Sequence, residues 1–178
     1  MIITGGKYKG RKVQAPDEKI TRPTLSKVRQ GVFNTLFSLV GDFDNLLFLD
    51  LFGGSGIMGL EALSRGFKEV LVFEKNVKVA QVLKKNYAIL GLKTNLNIGD
   101  SLKLLNKIEQ NYDVIYVDPP YYSGVYLDVF ANLYNIIGEN TIIIAEHNEP
   151  FELEHFSLLK EKKYGDKFVT FWKKLSIA

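Results

Sequence analysis

Asp118-Pro119-Pro120-Tyr121 closes a short apolar run, Val114 to Val117. The two prolines lack N–H donors and stiffen the backbone, so the Asp118 carboxylate and the Pro119 carbonyl are left as outward-facing acceptors. Acceptors held in this way match the two hydrogens of an exocyclic amino group. They would draw its nitrogen out of conjugation with the ring and aim the lone pair at a methyl donor. That is catalysis by preorganised polarity and positioning, without a covalent nucleophile. Tyr121 offers a flat face for stacking a base turned out of its helix. The plainer alternative is a Pro-Pro turn that only ends a strand.

A second stretch, Leu46 to Gly59 (LLFLDLFGGSGIMG), reads as a buried strand entering a glycine turn and then a helix. Gly54, Gly56 and Gly59 fit G-x-G-x-x-G, and glycines there let a ligand come close to the backbone. Glu74 follows at the end of a second strand, Val70 to Phe73, where an acid can accept from ribose hydroxyls. Strand, glycine turn, helix, strand and acid together signal a nucleoside site. Asp50, just ahead of the glycines, favours S-adenosylmethionine over a dinucleotide. A carboxylate repels a pyrophosphate but suits a sulfonium and an ammonium. Asp50 could instead orient only the loop backbone. Asp100 can cap the following helix and can also accept from an adenine amino group.

These sites need a sheet to hold them. Strands are expected at Leu46–Leu51, Val70–Phe73, Asn95–Ile98, Val114–Val117 and Thr141–Ala145, with a closing antiparallel hairpin of Leu158–Tyr164 and Phe168–Leu175. Helices are expected over residues 24–40 (capped by Thr24 or Ser26), Ile57–Arg65, Asn76–Leu90, Ser101–Lys107 and Val125–Ile137. This is an α/β, Rossmann-like chain whose antiparallel tail departs from the dinucleotide fold. Ligands in such sheets sit outside the carboxyl ends of the strands, where strand order reverses. Glu146 and His147, at the end of the fifth strand, could edge the pocket, though solvated strand-end residues are the plainer reading.

At 178 residues the chain suits one domain. Zero cysteines exclude disulfides, thiol catalysis and cysteine-bound zinc, and two histidines make a histidine metal cluster a poor expectation. No apolar run has the length of a membrane span, and the N-terminus lacks a secretory pattern, so a cytoplasmic protein is expected. Charge is uneven. Residues 1–29 hold eight Lys/Arg against two acids, a net +6 in a chain whose total is +3. Residues 1–23 read as a β-hairpin turning at Gly5-Gly6, with Tyr8 among cations, followed by the stiff Arg22-Pro23-Thr24 link. Cations interleaved with an aromatic suit RNA. Lys27 and Arg29 stand in the first turn of the first helix, where the dipole disfavours cations, which hints at an anionic partner unless they simply point into water.

The chain resembles the small bacterial 16S rRNA (guanine-N2)-methyltransferases of the RsmD type, which act on guanine-966. Asp50–Gly56, Gly59–Gly66 and Asp118–Tyr121 carry the likeness, narrowed by Gly10-Arg11-Lys12, Arg22-Pro23-Thr24 and Val28-Arg29. The resemblance covers essentially the whole chain. It implies a seven-stranded class I methyltransferase sheet, with residues 24–178 as catalytic core and 1–23 as RNA-gripping arm. It implies S-adenosylmethionine contacts at Asp50, Phe52, Gly54, Ser55, Gly56, Glu74, Asp100 and Ser101. Base recognition falls on Asp118, Pro119, Pro120 and Tyr121. RNA contact falls on Lys7, Lys9, Arg11, Lys12, Arg22, Thr24, Lys27 and Arg29, with no metal. The implied partner is 16S rRNA in the assembling small subunit, and one compact domain suits a monomer. Gly53 stands where the family usually has Ala. Competing readings are a DNA adenine or cytosine amino-methyltransferase, an NAD-dependent oxidoreductase and a catalytically silent nucleic-acid-binding module. The first lacks a target-recognition segment, and the second leaves Asp118-Pro119-Pro120-Tyr121 unexplained.

Overall fold

The computed structural model describes residues 1–17, 24–120 and 124–176. Arg22 and Tyr121 lie outside the described residues. The elements are α1 (Ser26–Val40), β1 (Leu47–Asp50), α2 (Ile57–Ser64), β2 (Glu69–Glu74), α3 (Val77–Ile89), β3 (Leu96–Ile98), α4 (Ser101–Leu105), β4 (Val114–Val117), α5 (Val125–Tyr134), β5 (Ile142–His147), β6 (Phe156–Tyr164) and β7 (Lys167–Lys174). They build one seven-stranded sheet in the order β3-β2-β1-β4-β5-β7-β6. Pairing from β3 through β5 is parallel, and β7 and β6 are antiparallel. Strand order reverses between β1 and β4, so the carboxyl ends of those two strands open a crevice.

Alternation along the central strands gives each face its own core. Phe48, Val114, Tyr116, Ile142 and Ile144 face α1, α2 and α3. Leu49, Ile115, Val117, Ile143 and Ala145 face α4 and α5. Burial on both faces explains why these strands read as continuous apolar runs. Among the described residues no helix is long and apolar enough to cross a membrane.

Helices α4 and α5 end earlier than expected, at Leu105 and Tyr134, and three further local expectations change. Leu25, not Thr24 or Ser26, is the N-cap of α1, and it makes no side-chain cap bond. Ser26 Oγ is occupied instead by the Arg29 guanidinium at 2.9 Å. The two limbs of the N-terminal arm pair around an antiparallel bridge, Ile2–Lys12, with Ile3 N–H donating to Arg11 O and Gly10 N–H to Ile3 O, and the chain reverses over a wider loop than a Gly5-Gly6 turn. The loop is held open because Lys7 N–H reaches Ser64 O at 2.7 Å and Tyr8 N–H reaches Ser64 Oγ at 2.9 Å. Finally, β5 runs two residues further than expected, because Glu146 and His147 pair with Val169 and Phe168 of β7.

Candidate active site at the strand-order reversal

A cleft of about 570 Å³ opens at the carboxyl ends of β1 and β4. Asp50, Phe52, Gly54 and Ser55 line it from the β1 side, and Asp118, Pro119 and Pro120 from the β4 side. The two motifs that stand nearly seventy residues apart in the chain thus face one space.

The β1–α2 turn is built by backbone geometry. Gly54 and Gly56 take φ of 56° and 82°, a region where other residues are strained. Glu74, at the end of the neighbouring β2, accepts from Gly54 N–H at 2.8 Å and from Asn76 N–H at 2.9 Å. Each of its oxygens keeps a second acceptor position. Asn86 on α3 donates to Ser55 O at 2.9 Å and fixes the other side of the turn. Asp100 caps α4 by accepting from Lys103 N–H at 3.2 Å, and Ser101 Oγ donates to Leu51 O. Glu74, Asp100 and Ser101 therefore organise the strand ends beside the cleft.

Gly53 is a matter of space. A Cβ there would stand 2.2 Å from Val72 Cγ1 and 3.1 Å from Leu83 Cδ1. Glycine is the residue this particular β2 packing admits.

Asp50 is 1 % exposed, and its Oδ1 accepts from Phe52 N–H at 3.1 Å. It does orient the loop, and its carboxylate also lines the cleft. Burial, reinforced by the charges of Glu74 and Glu146 and opposed by the Phe52 bond, pushes its carboxyl up to about 7. A cationic ligand would relieve that cost. With Glu74 free to accept, the residues present fit a nucleoside that carries a positive centre.

Asp118 is pushed well above the ordinary carboxylate range, first by burial and then by Glu146, while Lys167 opposes the rise. Glu146 and His147 are not solvated strand ends. They are 1 % and 5 % exposed and line the same cleft. Lys167 of β7 stands 3.7 Å from Glu146 Oε2. His147 is held by Thr170 Oγ1 at 2.8 Å and Glu149 O at 2.9 Å. The signal for their burial is the partner strand β7, which no local pattern around Glu146 announces.

The basic residues divide. Lys7, Lys9, Arg11, Lys12 and Lys27 lie on the surface, and Thr24 lines the cleft mouth beside Pro16. Arg29 does not belong with them. It is 1 % exposed and pairs with Glu61 at 3.0 Å. It also donates to Ile2 O at 2.8 Å and Thr24 O at 3.1 Å. Its guanidinium is committed to holding the arm and α1 together, so the expectation that it contacts RNA is corrected.

Comparison with known proteins places this geometry. Residues 1–173 match the family described as conserved hypothetical protein 95. Bacillus subtilis YlbH is 33% identical over 98% of this chain and 99% of its own. Ribosomal RNA small subunit methyltransferase D of Escherichia coli K12 is 37% identical over 92% of this chain and 84% of its own. The solved structure of Escherichia coli yhhF superposes with a TM-score of 0.84 at 27% identity, covering 98% of this chain and 97% of that one.

Proposed function

The chain belongs to the conserved hypothetical protein 95 family, and from that premise we propose that it methylates the exocyclic N2 amino group of a guanine in 16S rRNA. The single observation that carries the reading is the shared cleft. A glycine turn flanked by buried Asp50 opens onto the same space as Asp118-Pro119-Pro120. The E. coli relative is named as a small-subunit rRNA methyltransferase, which supports rRNA as the substrate here, and the choice of guanine-966 rests on the sequence resemblance.

S-adenosylmethionine supplies an electrophilic methyl group when bound. Asp50 would face its positive charge, Glu74 would accept from its ribose, and the turn around Phe52, Gly54, Ser55 and Gly56 would receive it, beside Asp100 and Ser101. Asp118 and the Pro119 carbonyl accept the amine hydrogens and hold the nitrogen in line. The stiff Pro119-Pro120 backbone keeps those acceptors in place before the base arrives. Tyr121, next along the chain, is assigned the stacking role. Lys7, Lys9, Arg11, Lys12, Arg22, Thr24 and Lys27 form the RNA-facing set, with residues 1–23 as the arm and 24–178 as the catalytic core of a cytoplasmic monomer.

The test is transfer of labelled methyl from S-adenosylmethionine to unmethylated small subunits, naked 16S rRNA and duplex DNA. Label on subunits or rRNA, mapped to a guanine N2, is expected. Label on DNA alone would keep the chemistry and overturn the substrate.

A further inference from the structure

Glu146 is the group that this reading leaves unused. It follows the Val117–Ala145 pair by one residue, so it lies beside Asp118 at the ends of two parallel strands. Its side chain is fully buried. Among the described residues, neither carboxylate oxygen meets a hydrogen-bond donor in bonding geometry, and the nearby Tyr116 hydroxyl likewise has no partner in bonding geometry. A buried carboxylate without donors is costly, and a glutamine would fill the same volume without that cost. The charge therefore asks for a purpose.

The charged and titratable groups around it come from several elements. Tyr116 and Asp118 face it from β4, and Asp50 from β1. Tyr126 comes from α5 and donates to the Glu146 backbone carbonyl. Tyr164 of β6 and His147 on its own strand sense its charge. Lys167 of β7 is its ion-pair partner among the described residues.

We propose that Glu146 is a positioning residue acting through Asp118: after methyl transfer the two carboxyls share the proton that the amine sheds, with Lys167 balancing the charge. The inference rests on the methyl-transfer reading above. In that reaction the amine lone pair forms the new N–C bond, and the methyl–sulfur bond breaks with its electrons returning to sulfur. The nitrogen is left with a positive charge and one hydrogen too many. That proton passes to the Asp118 carboxylate and leaves a neutral methylamino group. Glu146 behind Asp118 makes the proton welcome there, until it is lost to water along the cleft.

The test is the pH dependence of kcat/KM for methyl transfer to unmethylated small subunits, with donor affinity measured in parallel. Asp118 must be ionised to accept the amine hydrogens, so its titration shapes the acid limb. Glu146→Gln removes a like charge, and the acid limb moves to lower pH by about one unit. On the plateau above the acid limb its kcat falls, because Asp118 takes the shed proton less readily, while KM for the subunit holds. Lys167→Met removes the opposing charge, and the acid limb moves up. Opposite shifts with unchanged donor affinity support the proposal. Superimposable profiles, or shifts in one direction, overturn it. Should Glu146→Gln fail to fold, an unshifted Lys167→Met profile overturns it alone. If the wild-type protein methylates no guanine, the functional reading fails first and this inference with it.

Discussion

Asp50 works against the fold that holds it. Its carboxyl moves from an ordinary 3.8 up to about 7 on burial. Between those values the unfolded chain gives up the proton and the folded chain keeps it. Stability is therefore lost as pH rises through that window, and the cost is complete above about pH 7. Asp50→Asn should raise stability by up to about 4 kcal/mol at neutral pH, since a tenfold change in proton affinity on folding corresponds to about 1.4 kcal/mol. Urea unfolding at pH 5 and pH 8 checks this, and the gap between variant and wild type should widen at the higher pH. The same variant should lose affinity for S-adenosylmethionine, read by calorimetry. Gly53 offers a second case. Gly53→Ala drives a Cβ into Val72 and should cost about 1–3 kcal/mol, as overpacking does. Val72→Ala in the same chain should recover part of it, measured by thermal unfolding. The positions of Asp50 and Asp118 were legible because an acid at a strand end just ahead of glycine or proline is a local pattern, and that of Glu74 because it closes the strand after the glycine turn and helix. Arg29 and Glu146 were not. Their burial is decided by Glu61 and Lys167, each more than twenty residues away.

Among the elements, one carboxylate gathers several of the bonds that dock the N-terminal arm. Glu61 of α2 takes Arg29 of α1 at 3.0 Å and Arg65 at 3.2 Å. It also accepts Thr4 N–H and Thr4 Oγ1, each at 2.8 Å. The pair sits at 2%/0% side-chain exposure, so removing one partner strands a buried charge. Glu61→Ala should cost about 3–5 kcal/mol. Amide hydrogen exchange in residues 2–13 should rise more than in β4 or β5, because the arm loses its anchor before the sheet does. The Val28-Arg29 and Glu61–Arg65 segments that carry the family likeness thus do structural service as well. The core strands were readable as apolar runs, since both of their faces are covered. The last turns of α4 and α5 were not, because they end at Leu105 and Tyr134, short of the apolar residues Ile108 and Ile137 that follow.

For the whole molecule, the sheet order puts the Gly53–Gly56 turn and the Asp118-Pro119-Pro120 turn on either side of one reversal, while the charge excess lies on the arm. If the arm grips rRNA, Lys7, Lys9 and Lys12 should contribute through phosphates. Replacing all three with Gln should weaken binding to 16S rRNA across sequences. It should also reduce the salt slope by about 0.7 to 0.9 for each phosphate that a lysine had neutralised. Filter binding across a salt series checks this, with S-adenosylmethionine affinity unchanged. The antiparallel tail was legible from its hairpin pattern, yet its service to the site through Lys167 was not. The most direct test of the central claim compares wild type with Asp118→Ala, measuring methyl transfer to unmethylated small subunits and donor binding on the same preparations. Transfer should fall at least about 100-fold with donor binding intact. Transfer at the wild-type rate in a variant that still binds the donor would contradict that claim and move the reaction site away from the end of β4.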